Sequence, residues 1–111
     1  MSTWELEAAA DRVALAAVLE ARGRDRDAWA VLVDVLAILE RVLGADHYDV
    51  VGVLDRLASI AERRGDRDGA AELLTRSLTI RRRLLGAEHA EVQRTAAALA
   101  RARRECEDRP G

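Results

Sequence analysis

The residues of this chain that could do chemistry are few, and their spacing is the first clue to its organisation. His47 and His89 are the only histidines and lie 42 residues apart. Each closes the same short string, Leu-Gly-Ala-acid-His. They therefore mark one repeated structural position and are expected to lie too far apart to share a metal. Cys106 is the single cysteine, which excludes a disulfide framework, and no cluster of Cys and His has zinc spacing. Ser59, Ser77, Thr75, Thr79 and Thr95 have no His or acid recurring at a spacing that would activate a hydroxyl. Gly23, Gly44, Gly65 and Gly86 each end a helical pattern, so no loop is built to cradle phosphate. The expectation is a non-catalytic chain with no metal and no cofactor.

What is left is arginine. All 18 basic residues are Arg, and they are unevenly placed. Residues 1–55 hold 5 Arg against 11 acids and residues 56–111 hold 13 against 9, giving −6 and +4 within an overall −2. Arg56, Arg94 and Arg101, with Ser59, are the candidate partner-binding residues of this basic half. A guanidinium forks onto carboxylates, so a protein or peptide partner with acidic side chains would suit them. The alternative is a solvated face with local acidic neighbours. Arg81-Arg82-Arg83 falls at a helix C-terminus, where it complements the helix dipole. Without interleaved aromatics for base stacking, no nucleic-acid partner is expected.

The elements that must position these groups follow from composition and period. Half of the 111 residues are hydrophobic and only 3% aromatic, too apolar for a disordered chain. Ala, Leu, Arg and Glu dominate, and they lose little rotamer freedom in a helix, which predicts an all-α fold. A period of 42 residues is plain: Gly23/Gly65, Ala28/Ala70, Leu36/Leu78, Ile38/Ile80 and Gly44/Gly86 all recur at it. Residues 15–58 and 57–100 share 17 identities in 44 positions, against roughly one in ten by chance for such a composition. The unit is duplicated.

Each unit reads as a helical hairpin. A first helix is predicted from about Ser2, opened by a capping-box spacing to Glu5, to Arg22. A second should run from Asp27 to Leu43, with Gly44 taking the left-handed C-terminal conformation. Asp46 and Asp49 signal a third helix to Arg64, and Gly65-Asp66 turns into a fourth ending at Leu85. A fifth, to about Glu107, closes a single domain of residues 1–108, with repeats at about 2–43 and 46–85 and a half repeat at 88–107.

The string Leu43-Gly44-Ala45-Asp46-His47, then Leu54-x-x-Leu57-Ala58, Gly65-Asp66, Ala70-x-x-Leu73-Leu74, Leu78-x-Ile80 and Leu85-Gly86-Ala87-Glu88-His89, resembles tetratricopeptide repeats of the kinesin-light-chain type. The resemblance covers nearly the whole chain. It implies antiparallel helical hairpins stacked as a short right-handed solenoid whose first helices line a concave, protein-binding face. Two departures matter. Tyr48 and Ala90 stand where the family usually has Pro, which weakens a helix-start signal without altering the fold. The family's ligand-facing Leu-Asn-Asn-Leu-Ala is here Leu54-Asp55-Arg56-Leu57-Ala58 and Ala96-Ala97-Ala98-Leu99-Ala100. With no Asn in the chain, an amide clamp on peptide backbone is absent.

The two ends of the array differ. In the fifth helix Val92, Ala96, Leu99 and Ala100 can face inward while Arg94, Arg101, Arg104 and Glu105 face water, a closed end. The first hairpin shows no such polar side. Where the second repeat has Ala71, Glu72, Thr75, Ser77, Thr79 and Arg81, the first has Trp29, Ala30, Val33, Val35, Ala37 and Leu39. Ala28/Ala70, Leu32/Leu74, Leu36/Leu78 and Ile38/Ile80 are expected in the core and the differing positions mostly off it. Trp29, Val33 and Ala37 then form one line at i, i+4 and i+8, a candidate self-association face for a homodimer. Internal cover by the first helix, or by Trp4 and Leu6, is the other reading. The first residues are acidic where a secretory signal is basic, and no apolar run approaches the ~20 residues of a membrane span. A cytoplasmic interaction module, a small adaptor or scaffold without a membrane partner, is the expected function. The alternative is a stand-alone regulatory domain related to those of larger signalling or transcription-regulating proteins.

Overall fold

The computed structural model describes residues 3–107. Among them are five helices and no strand: α1 (Thr3–Ala21), α2 (Asp25–Leu43), α3 (Tyr48–Arg63), α4 (Arg67–Leu85) and α5 (Ala90–Glu107). Ser2, the anticipated capping residue of α1, lies outside the described residues. The chain forms two compact units, Met1–Val53 and Leu54–Gly111, and the division falls within the unbroken α3.

In the first unit α1 and α2 pack as an antiparallel hairpin, the end of α2 reaching the start of α1 through Arg41 and Glu5 at 3.4 Å. The buried residues Ala28, Leu32, Val35 and Leu39 of α2 follow the i, i+4, i+7, i+11 spacing of one helix face. Ala9, Ala16 and Leu19 of α1 and Val50, Val51 and Val53 at the start of α3 are buried as well. In the second unit α4 and α5 are antiparallel neighbours, with Arg67 and Glu105 at 3.7 Å. Ala58, Leu74, Leu78, Val92, Leu99 and Ala102 form its apolar cluster.

The helix ends explain why the glycines and histidines recur. At Gly23 the chain turns with φ 75°, and the Arg24 amide donates to Leu19 O at 2.8 Å. Gly65 repeats this with φ 79° and an Asp66 amide bond to Ala61 O. These are the left-handed helix ends. Gly44 and Gly86 differ from expectation: φ is 97° and 89° with ψ near 150°, a positive-φ extended conformation rather than the left-handed helical one. Only glycine adopts that region without strain.

The N-terminal caps also depart from expectation. The start of α2 lies two residues earlier than predicted, behind Arg24, whose side chain makes no capping bond and pairs with Asp27 instead. Its counterpart Asp66 does cap, accepting from the Gly69 amide at 2.9 Å. Ahead of α3 the cap is His47 rather than Asp46: its Nδ1 accepts from the Asp49 amide at 3.0 Å. His89 does the same for Glu91 at 3.1 Å. An accepting Nδ1 places the ring proton on Nε2. The histidines thus satisfy helix-end amides, and Tyr48 and Ala90 open α3 and α5 without the proline.

The expected division of α2 into core and surface is corrected at four positions. Leu36 and Ile38 are only half-buried, whereas Val35 and Leu39, placed off the core, are buried. Identity between repeats therefore did not track burial. The matching positions of α4, Ser77 and Arg81, also point inward, and Ala100 of α5, expected inside, is exposed.

Candidate functional site

The second unit carries an open groove of about 310 Å³ built from α3, α4 and α5. Two of its walls are helical rows at i, i+4, i+7 spacing, which places their members on one face. The α3 row is Asp55, Ser59 and Glu62, and the α5 row is Arg94, Ala98 and Arg101. The α3 wall is acidic, whereas α5 brings two arginines to the groove with Glu91 one turn before them. Leu74 of α4 and Ala58 supply apolar floor between the two walls.

Part of the groove lining, Asp55, Arg81, Glu91 and Thr95, belongs to a polar cluster that sequence reasoning missed. Arg81, with its side chain 14% exposed, sends Nη1 to Asp55 Oδ2 at 2.5 Å, to Ser77 Oγ at 3.0 Å and to Thr95 Oγ1 at 3.1 Å. Ser77 donates to the other Asp55 oxygen at 2.7 Å. Thr95 donates to the Glu91 carbonyl at 2.9 Å, and the Glu91 carboxylate stands 3.8 Å from Arg81 Nε. That Nε is buried and makes no hydrogen bond. Charge-assisted bonds of this kind are about twice as strong as neutral ones, and here they link all three helices of the unit.

Two expectations change as a result. Arg81 is not a solvated member of a basic triplet; its neighbours Arg82 and Arg83 are exposed, but it turns inward. Ser77 and Thr95 do contact acidic residues, Ser77 at the Asp55 carboxylate and Thr95 at the Glu91 backbone carbonyl, and both accept from Arg81. Register gave no signal, because Leu39, 42 residues earlier, was itself expected off the core and its burial is seen only in the structure.

The predicted partner-binding residues divide. Ser59, Arg94 and Arg101 line the groove, and among the described residues neither arginine is held by an ion pair or hydrogen bond. Arg56 is not part of the lining and has a partner of its own. In the first unit Val33, 42% exposed, and Ala37 lie on the surface and Trp29 is half-buried. Trp4 is 66% exposed, so it does not serve as their cover. No group of acids, histidines or cysteines among the described residues could hold a metal ion, and no described helix is long and apolar enough to cross a membrane.

Comparison with known proteins agrees with this architecture. The sequence profile of the tetratricopeptide repeat matches residues 6–83. A crystal structure described as kinesin-light-chain, nearly identical TPR-like repeats of Podosopora anserina superposes with a TM-score of 0.72 at 26% identity, covering 87% of this chain and 46% of that one. A single-substitution variant of it gives 0.73 at 25%, covering 92% and 47%. The chain thus spans just under half the length of these structures. Among curated proteins none gives a match.

Proposed function

Because the chain belongs to the tetratricopeptide repeat family, whose hairpins serve as protein-binding modules, we propose that it is a non-catalytic adaptor that takes acidic side chains of a protein partner against the α5 wall of its groove. The observation that carries this reading is the unequal use of arginine. Arg81 is consumed inside the fold, while Arg94 and Arg101 stand unpaired among the described residues along one face, opposite the Ser59 hydroxyl. Such cations offer forked donors at little reorganisation cost. With Asn absent, side-chain carboxylates rather than peptide backbone would be the recognised group.

The probe is a fluorescein-labelled hexapeptide of glutamate, followed by anisotropy. Saturable binding should weaken with salt, fall about tenfold or more in Arg94→Glu/Arg101→Glu, and stay within about twofold in Arg56→Glu. Equal loss in both variants, or no saturable binding, would rule the groove out.

The same reading includes a homodimer through Trp29, Val33 and Ala37, supported by their apolar character where the second repeat has Ala71, Thr75 and Thr79. Light scattering at tens of micromolar decides it, since a monomer there would exclude self-association. Residues 1–108 would then act as one domain, unfolding in a single transition. A lone Cys106 suits a reducing compartment such as the cytoplasm.

A further inference from the structure

The outer face of α1 is built like a helix–helix interface, but no described helix covers it. In the second unit, Val92, Leu99 and Ala102 of α5 are buried, packed in one cluster with Leu74 and Leu78 of α4. Shifted by two repeats, those α5 positions are Ala8, Leu15 and Val18 of α1. Leu15 is 48% exposed and Val18 49%. With Trp4 one turn earlier they form a stripe at spacings of 4, 3, 4 and 3 residues, interrupted only by Asp11. This is the period of a helix seam.

The duplication also says what fits there. On α5 the covering helix presents Leu74, Leu78 and Arg81, that is Leu-x-x-x-Leu-x-x-Arg, and its arginine reaches Thr95 and faces Glu91. The α1 counterparts of those two residues are Asp11 and Glu7, both exposed. The stripe therefore keeps the apolar positions and strengthens the acidic ones. A second copy of α1 is a poor occupant, because overlapping the two stripes fully, in either direction, brings Asp11 against Asp11 of the copy.

We infer that α1 is a docking surface for an amphipathic helix of a partner protein that carries two leucines four residues apart and a basic residue three further on. Trp4, Leu15 and Val18 bury the leucines, and Asp11 with Glu7 receives the cation. The surface belongs to the first unit and shares no residue with the groove in the second.

The test uses an acetylated, amidated peptide with the sequence of Arg67–Leu85, titrated at low micromolar concentration into the full chain carrying Trp29→Phe. Trp4 is then the sole indole and its emission should shift to the blue with saturation. Leu15→Asp, at an exposed position, should weaken binding about tenfold or more with helical circular dichroism unchanged. Asp11→Arg should weaken it as well, and the peptide with Arg81→Glu should restore affinity for that variant. Absence of saturable binding overturns the inference, as does binding indifferent to Leu15→Asp, which would place the peptide elsewhere. A dimer of the unmodified chain dissolved by Leu15→Asp would assign the stripe to a second copy and overturn it equally.

Discussion

Four positions of the first unit, Val13, Val35, Leu39 and Val53, have their counterparts 42 residues later in the second as Asp55, Ser77, Arg81 and Thr95. Val35, Leu39 and Val53 are buried, and so are Ser77 and Thr95. The same register is thus filled once by branched apolar side chains and once by a carboxylate, a guanidinium and two hydroxyls bonded to one another. The difference shows what a repeat position demands. It requires filled volume with polar groups bonded, and either solution meets that demand. Their consequences differ: apolar packing is non-directional, whereas a paired guanidinium fixes the mutual setting of α3, α4 and α5. Only the second arrangement brings charge to the floor of a groove.

This comparison breaks most sharply under Leu39→Arg, which puts the second unit's residue into the first. The counterpart of Asp55 there is Val13, so the bonded carboxylate is missing, and the counterpart of Glu91 is the exposed Asp49. Burying an unpaired cation should cost about 4 kcal/mol or more, read from urea or guanidinium unfolding. A loss below about 1 kcal/mol would mean the first unit hydrates or rearranges that site, and the contrast would not hold.

The reciprocal transfer is gentler and more informative. Asp55→Val alone strands Arg81 and should cost about 3 kcal/mol, because one partner of a buried pair remains charged. Adding Ser77→Val, Arg81→Leu and Thr95→Val should recover that loss and leave the protein between neutral and about 3 kcal/mol more stable. Should the fourfold variant stay as unstable as the single one, apolar residues would be unable to replace the cluster.

A feature shared by both units should respond alike in each. His47→Ala and His89→Ala each remove one capping acceptor and should cost about 1 kcal/mol, with His→Ser nearly neutral. A cost present at only one of the two would separate helix starts that the sequence makes alike.

Much of the fold was legible in the chain because it is local. The 42-residue period, the four turn glycines with positive φ and the helix ends each depend on a few neighbouring residues. Helix starts were harder. The acids in the turns pointed to carboxylate caps, yet α2 starts behind Arg24, whose side chain makes no capping bond, and the acceptor ahead of α3 is the His47 imidazole. The groove was half legible: Arg56, Arg94, Arg101 and Ser59 were expected to face a ligand because the first helix of each repeat was expected to line the binding face, and all but Arg56 line the groove.

Arg81 could not be placed that way. Of its partners only Ser77 lies one turn away on the same helix; Asp55 lies 26 residues earlier and Thr95 14 later, and no helical periodicity relates those to it. Charge in a sequence points to water by default, and Arg81 leaves water only because Asp55, Ser77 and Thr95 converge to replace its hydration. The same holds for Leu15 and Val18, apolar like their buried counterparts Leu57 and Ile60 yet half-exposed. Residue type set what each side chain could bury, a property of the chain alone. Whether a neighbouring helix was there to bury it was decided by packing, since burial free energy exists only where a second surface arrives.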